Sequence, residues 1–103
     1  MYIGVDLGSR TVKMAVWDGE SLVKHQIVAS GFEPHRQAEK MIAAFRADRV
    51  VATGYGRHLA AEHFADQVIT EIKAHALGIR HQLPDCTTIV DVGGQDSKVI
   101  SLN

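Results

Sequence analysis

Alternation of apolar and polar side chains dominates the first thirty residues and then gives way to a helical period. Thr11 to Asp18 (TVKMAVWD) places Val12, Met14 and Val16 on one face and Thr11, Lys13, Ala15 and Trp17 on the other. That period of two is the mark of a half-buried strand. Tyr2 to Leu7 (YIGVDL) alternates in part, is β-branched, and halts at Gly8-Ser9. Leu22 to Ala29 (LVKHQIVA) reads as a third strand after the tight Asp18-Gly19 turn. The opening is predicted to be an antiparallel meander with very short connections.

After Gly31 the period lengthens. Glu33-Pro34 suits the start of a helix, where proline costs no hydrogen bond and a carboxylate meets the positive end of the dipole. Ala38, Met41, Ile42 and Phe45 then form an apolar helical stripe. Arg49 to Thr53 (RVVAT) is the short apolar run of a buried central strand, broken by Gly54-Tyr55-Gly56. His58 to Phe64 suits a short helix and Gln67 to Thr70 a brief edge strand. Glu71 to Leu83 is helical, with Ile72, Ala76, Ile79 and Leu83 on one stripe, and Pro84-Asp85 ends it. Thr87 to Val92 and Ser97 to Leu102 are strands joined at Gly93-Gly94. A meander followed by alternating strands and helices implies a mixed sheet with helices covering it.

Composition narrows the class. At 103 residues the chain has the size of one domain, and 46% hydrophobic with 22% charged residues is ordinary globular usage. A net charge of −1 argues against broad electrostatic capture of nucleic acid or anionic lipid. No apolar run is long enough to span a membrane and no signal peptide opens the chain, so a soluble cytoplasmic protein is expected. Cys86 is the single cysteine, so no internal disulfide forms and the chain cannot alone ligate a zinc or iron–sulfur site. The six histidines make no metal motif with one another or with Cys86.

One pattern carries chemistry. Val5 to Lys13 (VDLGSRTVK) and Val90 to Lys98 (VDVGGQDSK) each run strand, Asp-x-Gly, polar turn, then a lysine on the returning strand. An aspartate closing a buried strand needs a cation or hydrogen-bond donors. A glycine turn exposes consecutive backbone N–H groups as an anion nest, and the lysine adds positive charge beside it. Two such hairpins facing each other would grip a phosphate chain and its Mg²⁺ from both sides. A single Asp-x-Gly is usually only a turn, so the weight rests on the repeat.

These segments resemble the two phosphate hairpins of the actin, sugar-kinase and heat-shock-chaperone ATPase superfamily. IGVDLGSRTVKMAV, ATGYGR, ITEIKAHALG and TTIVDVGGQDSKVI are similar, more narrowly, to the ATPase activators of 2-hydroxyacyl-CoA dehydratases and the ATPase subunits of benzoyl-CoA reductase. Residues 91–98 (DVGGQDSK) with 53–57 (TGYGR) are the most specific part, and Ser21 to Asp48 the least.

The resemblance implies an α/β fold of the ribonuclease-H-like kind: a five-stranded mixed sheet with flanking helices as a first lobe over 1–85, then the opening hairpin of a second lobe over 86–103. It implies that Gly8, Ser9, Arg10, Thr11, Val12 and Lys13 form the first phosphate loop and that Gly93, Gly94 and Gln95 form the second. Asp6 and Asp91 would hold Mg²⁺, in part through waters, with either of them or Gln95 orienting the attacking water. In such activators ATP hydrolysis in a homodimer drives an electron from a shared 4Fe-4S cluster into a downstream dehydratase or reductase. Neither the cluster cysteines nor the adenosine-binding part of the second lobe lies within Met1 to Asn103. The expectation is therefore the N-terminal part of a longer protein, inactive in electron transfer by itself.

Several readings stay open. A small-molecule kinase on the same scaffold needs an acid near the end of the fourth strand, where Thr53 to Arg57 has none. A non-catalytic interaction domain could keep the fold without turnover. Thr53 to Arg57 is either a nucleotide-sensing or partner-facing loop or a glycine turn. Glu71 and His75, four apart on a helix, either link the nucleotide site to the cluster side or form an exposed polar pair. Cys86 is expected to be an ordinary buried thiol.

Overall fold

A computed structural model describes residues 1–92 and 97–102. Strands β1 (Tyr2–Leu7), β2 (Thr11–Trp17) and β3 (Leu22–Ala29) precede helix α1 (Pro34–Ile42) and strand β4 (Arg49–Thr53). Helix α2 (Arg57–His63), strand β5 (Gln67–Val68) and helix α3 (Glu71–Gln82) follow, then strands β6 (Thr88–Val92) and β7 (Ser97–Ser101). The five-stranded sheet has the order β3-β2-β1-β4-β5, with β1–β2 and β2–β3 antiparallel and β1–β4 and β4–β5 parallel. It is the mixed α/β sheet that the change of period predicts. β6 and β7 form a separate antiparallel hairpin.

Burial follows the alternation. Ile3, Val5 and Leu7 of β1, Val12, Met14 and Val16 of β2, and Val50 and Ala52 of β4 share one face with Ala38 and Met41 of α1 and Ala60 of α2. α1 stops at Ile42, and Phe45 joins the edge of this core from a turn in which its N–H donates to the Ile42 carbonyl. The helical period thus runs one turn beyond the helix itself. β5 is only two residues long. It sits at the edge, where the Asp66 carboxylate accepts from the Val50 N–H at 2.7 Å.

The chain divides into two compact units, Met1–Ile69 and Thr70–Asn103. That division falls before α3, earlier than the one expected after residue 85, and groups α3 with the hairpin. Thr70 caps α3 by accepting from the Lys73 N–H. No residue of α3 is buried, and Ile72 of the predicted apolar stripe stands half exposed, because one two-stranded hairpin offers little surface against which to bury a helix. Cys86 is partly exposed rather than buried; its thiol faces the Thr88 carbonyl two residues on. Among the described residues no helix is long and apolar enough to cross a membrane.

Candidate functional site

The first hairpin places its two charged residues opposite each other. Asp6 and Lys13 are register partners across β1 and β2, with Lys13 Nζ 3.7 Å from Asp6 Oδ2. Both lie on the sheet face opposite the core, since Val5, Leu7, Val12 and Met14 take the buried positions on either side. Between the strands the Gly8 N–H donates to the Thr11 carbonyl at 3.1 Å. A side chain at Gly8 would press on that same carbonyl at 2.8 Å, so the turn closes only with glycine. Gly8 is therefore structural in this loop, and the side chain of Val12 is committed to the core. The exposed Ser9 and Arg10 backbone amides are the donors that the turn leaves available among the described residues.

Buried Ser30, which no motif marks, braces this turn. Its hydroxyl donates to the Gly8 carbonyl at 2.8 Å and its N–H to the Arg10 carbonyl at 2.9 Å. A serine at the end of an exposed edge strand carries no sequence signal, because its role is set by a contact across the turn.

The end of β4 closes on the same place. Thr53 is the parallel register partner of Asp6. Gly54 follows at φ +95°, and a Cβ there would strike Asp6 Oδ1 and approach the Leu7 carbonyl oxygen and nitrogen at 2.7 and 2.9 Å. The Gly56 N–H donates to the Leu7 carbonyl at 2.9 Å, and Arg57 Nη1 donates to the Gly54 carbonyl at 3.0 Å. Residues 53–57 are thus a glycine loop tied to the end of β1, with Arg57 holding the loop itself and Tyr55 exposed. Thr53 Oγ1 is shielded from solvent and meets no hydrogen-bond partner.

The second hairpin, within its own unit, repeats the arrangement. Asp91 and Lys98 are register partners, with Nζ 3.9 Å from Oδ2. Glu71 and His75 on α3 are partly exposed, and each also faces the hairpin. Glu71 Oε2 lies 3.7 Å from Lys98 Nζ, and His75 Nδ1 lies 3.4 Å from Asp91 Oδ2. The expected second loop, Gly93, Gly94 and Gln95, lies outside the described residues. Among the described residues no three His, Cys, Asp or Glu side chains gather to hold a metal by themselves. Mg²⁺ does not require such a cage: it commonly takes one or two carboxylates and completes its shell from phosphate and water. Asp6, with a glycine-cleared floor under its carboxylate, could supply one such carboxylate where Lys13 gives up its place beside it.

The fold is a mixed α/β sheet of order β3-β2-β1-β4-β5 carrying an acid-and-lysine hairpin that a second hairpin repeats. The chain belongs to the BadF/BadG/BcrA/BcrD ATPase family, whose model matches residues 3–103. It is 36% identical over 110 residues to the 2-hydroxyisocaproyl-CoA dehydratase activator of Clostridioides difficile, covering 98% of this chain and 41% of that protein. Among solved structures, component A of the (R)-2-hydroxyglutaryl-CoA dehydratase of Acidaminococcus fermentans superposes with a TM-score of 0.83 at 33% identity. That likeness covers 99% of this chain and 42% of that one. The Clostridium difficile activator with bound ADPNP gives a TM-score of 0.80 at 35% identity, over 99% and 41% of the two chains. The chain therefore spans about two fifths of the length of the relatives it matches.

Proposed function

We propose that this chain forms the phosphate-binding part of an ATP-hydrolysing activator that serves a CoA-ester dehydratase or a benzoyl-CoA-type reductase. The observation that carries the reading is the pair of hairpins in which an aspartate and a lysine face each other across the strands, Asp6 with Lys13 and Asp91 with Lys98. Membership of the ATPase family and likeness to a relative with bound ADPNP support ATP as the nucleotide. Relatives named as dehydratase activators support a dehydratase as the partner. A kinase reading is disfavoured because β4 runs out into Thr53-Gly54-Tyr55-Gly56-Arg57, with no acid to accept a substrate hydroxyl proton.

In this reading the Ser9 and Arg10 amides donate to the nucleotide's phosphate oxygens and Lys13 turns its ammonium to the same oxygens. Asp6 in the first unit and Asp91 in the second would each offer a carboxylate to a cation, in part through waters, and Gln95 or Asp91 would orient the water that attacks the terminal phosphate. Mg²⁺, when bound, neutralises charge on the bridging phosphate oxygens as it builds. Glu71 and His75 keep Lys98 and Asp91 in place until the nucleotide competes for them. A 4Fe-4S cluster does not fit these residues, since Cys86 supplies one thiol where such a cluster takes about four. We propose the shared cluster and the homodimer for the complete protein alone.

The test is calorimetric titration of ATP into the complete polypeptide encoded by the gene, with Mg²⁺ and with EDTA, for wild type and Lys13→Met. Wild type is expected to bind more tightly with Mg²⁺ than in EDTA, and Lys13→Met to bind at least about tenfold more weakly at unchanged melting temperature. Absence of Mg²⁺-dependent binding in the wild type would leave a non-catalytic domain as the reading. Stimulation of a dehydratase component by the ATP-loaded protein checks the partner.

A further inference from the structure

We infer that Thr53 is a positioning residue for Asp6: its hydroxyl takes over the carboxylate when Lys13 leaves it for a phosphate. The inference rests on the phosphate-binding reading above and deepens it.

Thr53 and Asp6 are Cα partners in the parallel β1–β4 pair. The core face takes Val5 and Leu7 from one strand and Val50 and Ala52 from the other, so Asp6 and Thr53 stand side by side on the opposite face. Neighbouring strands run about 4.8 Å apart, so a threonine hydroxyl can meet a carboxylate beside it on the adjacent strand when a side chain changes rotamer. The carboxylate can only accept, and the hydroxyl has one proton to give. Yet Thr53 Oγ1 is shut off from solvent without a partner, while Asp6 Oδ2 faces Lys13 at 3.7 Å.

A hydroxyl buried and unpaired costs free energy that valine, of nearly the same shape, would not. Such a group calls for a use in another state of the site. The neighbouring loop is built to permit one. Gly54 keeps its left-handed φ and lacks a Cβ where Asp6 Oδ1 lies, so the carboxylate has room on the Thr53 side. The Gly56 N–H fixes that loop to the Leu7 carbonyl of β1 and Arg57 ties the loop to itself, so the hydroxyl is held on a braced floor. Once Lys13 turns to a phosphate, Asp6 loses its cationic neighbour. A hydrogen bond from Thr53 then fixes which oxygen Asp6 offers to the cation or to its waters.

The test compares wild type, Thr53→Val and Thr53→Ser in the complete polypeptide. ATP affinity is measured by calorimetry across a Mg²⁺ series and in EDTA, and melting temperature is measured without nucleotide. Thr53→Val is expected to need about tenfold more Mg²⁺ for half-maximal ATP binding, the loss of one hydrogen bond to a charged group. Its affinity in EDTA should match wild type and its nucleotide-free melting temperature should be equal or higher. Thr53→Ser should restore the wild-type Mg²⁺ requirement. A Thr53→Val protein with an unchanged requirement overturns the inference and leaves the ATP-binding reading standing. So does one weakened equally in Mg²⁺ and in EDTA, or one melting several degrees lower. A wild type that shows no Mg²⁺-dependent binding overturns the reading itself.

Discussion

Gly54 is the residue on which the first hairpin and the end of β4 depend together. It adopts φ +95°, and any Cβ would meet Asp6 and the Leu7 backbone, neither of which can yield without breaking the β1–β4 ladder. Gly54→Ala is expected to destabilise Met1–Ile69 by about 2–4 kcal/mol, read from denaturant midpoints at unchanged slope. An alanine variant as stable as wild type would mean that the loop can move off β1. Sequence pattern marked this glycine only as part of a turn, since the carboxylate it accommodates sits far away in the chain. Asp6 and Lys13 were legible because strand alternation places them on one face and the short turn makes them opposite. Ser30 and Thr53 were not, because their contacts come from a neighbouring loop and a parallel strand.

The tight turn joining β2 and β3 shows what an element owes to one side chain. Asp18 accepts from the Glu20 and Ser21 N–H groups at 2.8 and 2.9 Å, while its own N–H donates to the Ser21 carbonyl. The Ser21 bond, then the Glu20 bond, hold its carboxyl below the usual aspartate range. A carboxyl lowered by folding stabilises the native state above its unfolded pKa, and that contribution fades as pH falls through the lower folded value. Asp18→Ala should therefore lower the urea midpoint at neutral pH, and the gap should close below about pH 3.8. A gap independent of pH would assign the loss to the backbone of the turn instead. Helix α3 illustrates the opposite case. Its period was legible from Ile72, Ala76, Ile79 and Leu83, but the contacts observed within its unit run from Glu71 and His75 to the hairpin.

At the scale of the whole molecule, each unit carries an aspartate, Asp6 or Asp91, to which the proposed function gives a part in Mg²⁺-dependent nucleotide binding. Asp6→Asn and Asp91→Asn should each weaken Mg²⁺-dependent ATP binding by about tenfold or more, and the double variant by at least about tenfold less than the product of the two. Losses that simply multiply would assign the hairpins to separate sites. Two successive compact units, each carrying an aspartate–lysine hairpin, are the arrangement on which that test bears.

Local chemistry alone determined the meander, the strand Arg49–Thr53, both helical periods and the two facing pairs of charges, because alternation, turn residues and helical spacing act within a few positions of the chain. Tertiary structure decided the parallel seating of β4 against β1, the glycine floor beneath Asp6, the serine brace behind the first turn and the unpaired threonine beside it. Those depend on strand register over long separations, and no local preference encodes which distant backbone a side chain will meet.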